Sequence, residues 1–298
     1  MKISKEQTID NQSIYKQQGQ LASVWLRFRK NKLAVLGLLI FLIIVVLSIT
    51  ADLWLDYDKQ AIEHNMGIRL QSPNSDHLFG TDQYGRDVFT RIIYGTRISL
   101  LISLLTIVLS LVIGGGIGAM AGYFGGRLDS LLMRIMDILL SIPAILLALT
   151  IVAALGNGIL NLIIALTVST IPRFAYIVRS TVLTIKDQEF IEAAKAYGTN
   201  NIQIIIKHII PNIIGPTIVQ ATTNMANTIL LISSLSYVGL GLPSSIPEWG
   251  AMISDAKENM RHFAYLVYIP GIAIVISVMA MNLIGDGLRD ALDPKLRN

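Results

Sequence analysis

The side chains that could do chemistry here are few and scattered. His64, His77, His208 and His262 are the only histidines, and cysteine is absent. With no HExxH and no histidine pair, neither a catalytic zinc site nor a thiolate site can be composed from neighbours in sequence. A disulfide framework and a lipidated cysteine are excluded as well. GxSxG is missing, and so is the GxxxxGK[ST] loop that cradles phosphates. The stretch "GGGIGAMAGYFGG" at 114–126 partly matches a dinucleotide fingerprint. It ends an apolar run, however, whereas the fingerprint opens a helix after a soluble strand. Gly114, Gly118, Gly122 and Gly126 recur every four residues, which places small residues on one helix face and predicts close helix packing.

The elements that would carry any function are membrane helices. Of 298 residues, 53% are hydrophobic and 15% charged, against about 25% charged in soluble domains. Runs such as "LAVLGLLIFLIIVVLSIT" do not alternate as barrel strands would, so the fold is expected to be all-α. Six spans are predicted, near 33–51, 98–120, 135–155, 159–181, 213–236 and 264–285. Pro143 and Pro172 interrupt the third and fourth, which are expected to be bent or broken. The first 32 residues hold seven Lys/Arg and two acids. That basic flank fits an uncleaved first span with the N-terminus inside better than a nucleic-acid patch.

This orientation divides the chain into a cytoplasmic tail (1–32), a first span (33–52), an extracytoplasmic segment (53–97), a core of five spans (98–288) and a cytoplasmic C-terminal tail (289–298). In the first outer segment "TDQYGRD" reads as a polar turn. In the second, "SSIPEWGAMISDA" is either an outer structure or an interfacial anchor through Trp249. Spans one, two and five contain no ionisable residue, whereas Arg134 and Asp137 lie near the start of span three and Arg173 and Arg179 in the inner half of span four, with Asp286 just past span six. Snorkelling and pairing account for these five, and no ion relay emerges. A carrier or channel working alone, or a scaffold without transport, would be the other readings of such a chain.

A transport path without an ion relay needs energy from elsewhere, which directs attention to the cytoplasmic loop at 184–212. Asp187 is positioned to cap a helix running to about Tyr197, with Glu192 and Lys195 on its polar side and Ala193, Ala194 and Ala196 permitting close approach. Gly198 suits a left-handed helix end. Thr199 or Asn200 then caps a second helix with Ile202, Ile205, Ile206 and Ile209 on one face, stopped by Pro211. An interfacial helix on lipid headgroups explains the second helix. A helix presented to a protein groove explains both helices and the glycine between them.

The loop resembles the "EAA" loop of ABC importer permeases: Glu-Ala-Ala, three residues, Gly, nine to twelve residues, Pro. Glu192, Ala193, Ala194, Gly198 and Pro211 match it, while Tyr197, Thr199 and Ile210 depart from its commoner residues. Four further stretches resemble the dipeptide, oligopeptide and nickel permeases, in particular their "C" component: "RFRKNKLAVLGLLI", "FGTDQYGRDVFTRIIYGTRISL", "LSYVGLGLPSSIPEWGAMISDA" and "LIGDGLRDALDPKLR". The resemblance implies a type I permease bundle in a bacterial plasma membrane. It also implies a second homologous permease, two cytoplasmic ATPase subunits and an extracytoplasmic binding protein as partners. ATP and magnesium would be held by those ATPases, with no cofactor in this chain, and the substrate would be a peptide, nickel or a metal chelate. The loop would be the coupling helix.

Overall fold

The computed structural model describes residues 20–292; the outermost parts of both expected tails, 1–19 and 293–298, lie outside the described residues. The described residues are helical apart from loops and one isolated antiparallel bridge between Thr81 and Asp87. The helices are α1 (Gln20–Phe28), α2 (Lys32–Ile49), α3 (Val88–Phe124), α4 (Gly126–Leu140), α5 (Ala144–Leu155) and α6 (Ile159–Ile185). They continue as α7 (Glu189–Ala196), α8 (Asn201–Ile204), α9 (Ile210–Val238), α10 (Trp249–Asp255) and α11 (Tyr265–Leu292). Five stretches are long and apolar enough to cross a membrane, and the bent pair α4–α5 supplies a sixth crossing if it counts as one.

Hydropathy placed these spans because each needs about 20 apolar residues. It placed their ends less well. The 37 residues of α3 extend about 55 Å, beyond a hydrocarbon core of about 30 Å, so the helix starts well before the expected span. Asp87 sets that start, since its carboxylate accepts from the Thr90 N–H at 2.7 Å. At the N-terminal side, α1 turns part of the expected tail into a helix. Its Phe28 packs with Ala34, Ile284 and Ala291 against α2 and α11.

The prolines behave differently from one another. Pro143 lies at the break between α4 and α5, which meet at 85°. As the cap of α5 it has no helical bond to lose. Pro172, by contrast, sits inside an uninterrupted α6. Pro211 does not stop a helix either, which corrects the expectation of a short second helix. The chain runs as one apolar helical stretch from Asn201 to Val238, through a widened turn at Ile205–Ile209. In that turn Ile210 donates to Ile205, five residues back. Pro211, which has no N–H to give, follows directly, so the irregular turn absorbs the register change that a regular α-helix would suffer.

The centre of the bundle is the α3–α6 contact, and its geometry follows from the glycine stripe. A Cβ added at Gly114 would lie 2.4 Å from the Ile171 carbonyl oxygen, and one at Gly118 would lie 2.3 Å from that of Ala175. Gly122 is nearly as close to Val182. Any side chain at the first two positions would push the backbones apart. Gly126 does not belong to this stripe; it adopts φ +58° and helps turn the chain from α3 into α4. The opposite character marks α2, whose Leu39, Ile43 and Val46 stay exposed on the outside of the bundle.

Candidate functional site

The two ends of α3 carry different structures. Toward the Phe124 end, α7 packs beside α3 and α6. Ile191 and Ala194 point inward and pack with Ala119 of α3, Val178, Val182 and Ile185 of α6, and Ile204, Ile205, Ile209 and Ile213. The other side of α7 is open: Glu189, Phe190, Glu192, Ala193, Lys195 and Ala196 are exposed, and Tyr197 is 91% exposed. Of the predicted loop residues, Glu192 and Ala193 therefore face outward, whereas Ala194 serves the protein's own core.

The helix end is built as the glycine implied. Gly198 adopts φ +74°. Its N–H donates to Lys195 and the N–H of Thr199 to Ala194, the paired bonds of a Schellman ending. A Cβ on Gly198 would meet nothing within 4 Å. Backbone conformation is thus what demands glycine here. The next helix is capped by Asn200, whose side chain accepts from Ile202 at 3.2 Å. Asp187 does not cap α7; the cap position is Gln188, with no side-chain bond. Tyr123 of α3 ties the loop down by donating to Asn201 at 2.8 Å, with Lys195 above its ring.

The isoleucine face is also shifted from the expected one. Ile204, Ile205 and Ile209 are buried, whereas Ile202 and Ile206 are 61% and 56% exposed. The widened turn adds a residue per turn and rotates the face, so regular helical spacing mispredicts it. Pro211 is exposed at the beginning of α9.

At the Val88 end, residues 50–87 and 239–264 form a platform, of which the sequence suggests a polar turn at "TDQYGRD" and an outer structure or interfacial anchor at "SSIPEWGAMISDA". "TDQYGRD" is a turn, closed by the Thr81–Asp87 bridge, but its charges point inward. The Arg86 side chain binds Asp82 at 2.7 Å, the Ser244 carbonyl at 2.8 Å and Asp255 at 3.3 Å. Arg91, fully buried, binds the Ala61 and Ser244 carbonyls at 2.7 and 2.9 Å. Both arginines thereby join the first platform segment to the second. Trp249 is 1% exposed and its ring N–H donates to the Ile92 carbonyl at 3.2 Å. It packs against α3 at Ile92 and Gly95 and is not an interfacial anchor.

Two platform carboxylates are tuned in opposite directions. Burial pushes the Glu248 carboxyl up from its ordinary value, while the N–H groups of Gly250 and Ala251, at the start of α10, oppose that rise. Asp52 is held below the usual range by hydrogen bonds from Tyr94 and then Arg97. No motif announces either one. The pairing of Asp82, Arg86 and Asp87 within one hexapeptide was the signal available for the buried charges.

Along α6, Arg179 forms a two-bond pair with Asp129 of α4 at 2.5 and 2.6 Å, and Tyr176 donates to Asp137. The expected pairing of inner-half charges is real for Arg179. Among the described residues no group of three or more His, Asp or Glu gathers as a metal site.

Residues 114–298 match the family model described as the binding-protein-dependent transport system inner membrane component, and residues 19–73 match the N-terminal TM domain of oligopeptide transport permease C. The chain belongs to the binding-protein-dependent transport permeases. It is the permease component of an ABC importer, a multi-pass protein of the plasma membrane. This permease is 44% identical to the dipeptide transport system permease protein DppC of Alkalihalophilus pseudofirmus, over 91% of this chain and 89% of the relative. It is 39% identical to the oligopeptide permease OppC of Bacillus subtilis, over 92% of this chain and 91% of the relative. It is equally 39% identical to the glutathione permease GsiD of Escherichia coli, covering 92% and 90%. Among solved structures, the inward-facing MetNI methionine ABC transporter shares the fold, with a TM-score of 0.57 at 22% identity over 68% of this chain and 97% of that chain.

Proposed function

We propose that this permease moves di- or oligopeptides into the cell as one of two homologous permease subunits, with α7 as the helix that receives the ATPase stroke. The observation that carries the coupling role is the two-sidedness of α7. Ile191 and Ala194 share one buried apolar cluster with residues of α3, α6 and α9, while Glu192, Ala193 and Ala196 stay exposed and open to a partner. A push on the exposed side is thereby delivered to three spans at once, as a rigid lever acting on a two-state bundle. The basic flank before α2 orients this end toward the cytoplasm and the platform outward, where a binding protein delivers substrate. ATP and magnesium belong to the two ATPase subunits. The peptide substrate is supported by the names of the dipeptide and oligopeptide relatives.

The test is reconstitution of this chain with its second permease, ATPases and binding protein in vesicles, followed by uptake of labelled di- and tripeptides. Wild type is expected to take up peptide only with ATP. Glu192→Arg is expected to insert and fold normally, since exposed positions shift stability by about 0.5 kcal/mol or less, yet to lose the ATPase on purification and to lose uptake. Normal uptake by that variant would remove α7 from the coupling role, and nickel uptake in place of peptide would replace the substrate.

A further inference from the structure

Arg173 is not explained by snorkelling. It lies 14 residues from the start of α6 and 12 from its end, which puts about 18 Å of helix on its shorter side. The whole helix is about 40 Å long against a hydrocarbon core of about 30 Å, so with the overhang shared between its ends Arg173 stands about 13 Å inside the core. Its partner confirms the depth: Asn224, to which it donates at 3.1 Å, is the midpoint of α9. Arg173 is nonetheless exposed at the surface of this chain, and among the described residues no carboxylate pairs with it.

The surroundings are polar. Gln220 also donates to Asn224, at 3.2 Å, and Asn227 is exposed one turn on. On α6, Ser169 and Ser180 share the arginine's face, both at least partly exposed. On another face of α9, Ile214 and Ile218 are the exposed residues, as lipid contact requires. With its oxygen engaged twice, Asn224 has an amide nitrogen that is buried without an acceptor. The cluster is therefore rich in donors, short of acceptors and positively charged. A cation at this depth on a polar face belongs in a water-filled path and not against lipid.

We infer that Arg173 lines the substrate path at mid-membrane and binds the substrate's carboxylate as it passes. The inference rests on the peptide reading, because a free C-terminal carboxylate is the anionic group common to peptides. Arginine suits the task, since its planar fork matches a carboxylate while Asn224 fixes one of its nitrogens. Gln220 positions Asn224 and does not touch the substrate.

The experiment uses the complete transporter in vesicles and compares a tripeptide with its C-terminal amide in wild type, Arg173→Gln and Arg173→Lys. For each peptide the variant is divided by wild type, so a preference of the binding protein cancels. Arg173→Gln is expected to lower uptake of the free acid on the order of tenfold, the scale of one charge-assisted hydrogen bond, and to leave the amide unchanged. Arg173→Lys is expected to restore most of the loss. If wild type moves no amide, the contrast between Lys and Gln on the free acid decides, and equal losses overturn the inference. Unchanged uptake, or equal loss on both peptides, also overturns it. Loss of the second permease on purification of Arg173→Gln would assign the arginine to a contact between subunits instead. Wild type that moves no peptide at all would defeat the peptide reading, a failure distinguishable from all of these.

Discussion

The two ends of α3 handle charge in opposite ways. In the platform, Arg86 and Arg91 are turned inward; Arg86 binds a carboxylate and a carbonyl, and the two terminal nitrogens of Arg91 bind carbonyls of the same chain. At the loop end, Glu192 and Lys195 are turned outward and the buried surface is isoleucine and alanine. A buried arginine loses its hydration and needs several fixed partners, so it staples segments together. An exposed glutamate on a short helix stays available to a second protein. The difference teaches that polar residues at the platform hold this chain's own shape, whereas on α7 the burial is apolar and the charged side chains stay exposed, as the proposed coupling role requires.

The most severe way to break this contrast is Arg86→Ala. Asp82 and Asp255 would lose their shared cation, at a cost of about 3–5 kcal/mol. The expected outcome is a detached platform, read as protease cleavage between residues 56 and 82 and a lowered unfolding temperature. An unaltered cleavage pattern would mean that the arginine network does not hold the two segments.

A smaller effect is expected at the loop from Gly198→Ala. The space around the Cβ is open, so the cost is backbone strain alone, about 1–2 kcal/mol for a left-handed residue. It should appear as faster amide exchange in α7 with the platform unaffected. Exchange that rises equally at both ends would show that the two regions unfold as one unit.

The mildest test is pH. Glu248 is raised above its ordinary 4.5 by burial, so its protonated form is the one the fold favours. Its contribution is complete below 4.5 and is lost as pH climbs through the raised value. Thermal stability of wild type in nanodiscs should decline across that window. Glu248→Gln, which keeps an oxygen for the N–H groups of Gly250 and Ala251, should flatten the decline. An identical slope in the variant would assign it to another group.

Much of the loop was legible because its signals are local. Gly198 needs only its own φ, and Asn200 needs only the next two residues to act as a cap. The glycine stripe announced a close helix contact for a similar reason, since spacing along one helix suffices to define a face, but that α6 is the partner came only from the structure. Pro211 was misleading because its effect depends on whether the preceding turn can widen. The platform was illegible for a different reason: Arg86 meets Ser244 and Asp255 from more than 150 residues away, and only the closed chain brings them together.

The sequence by itself determined the helical spans, the small-residue face of α3 and the break after α7, each being a property of nearby residues and of the cost of exposing backbone to lipid. Tertiary structure alone decided which charges are buried, which side of α7 stays free and where Arg173 stands. Those outcomes depend on what packs against each side chain, and a residue's neighbours in space are set by the whole bundle and not by its neighbours in the chain.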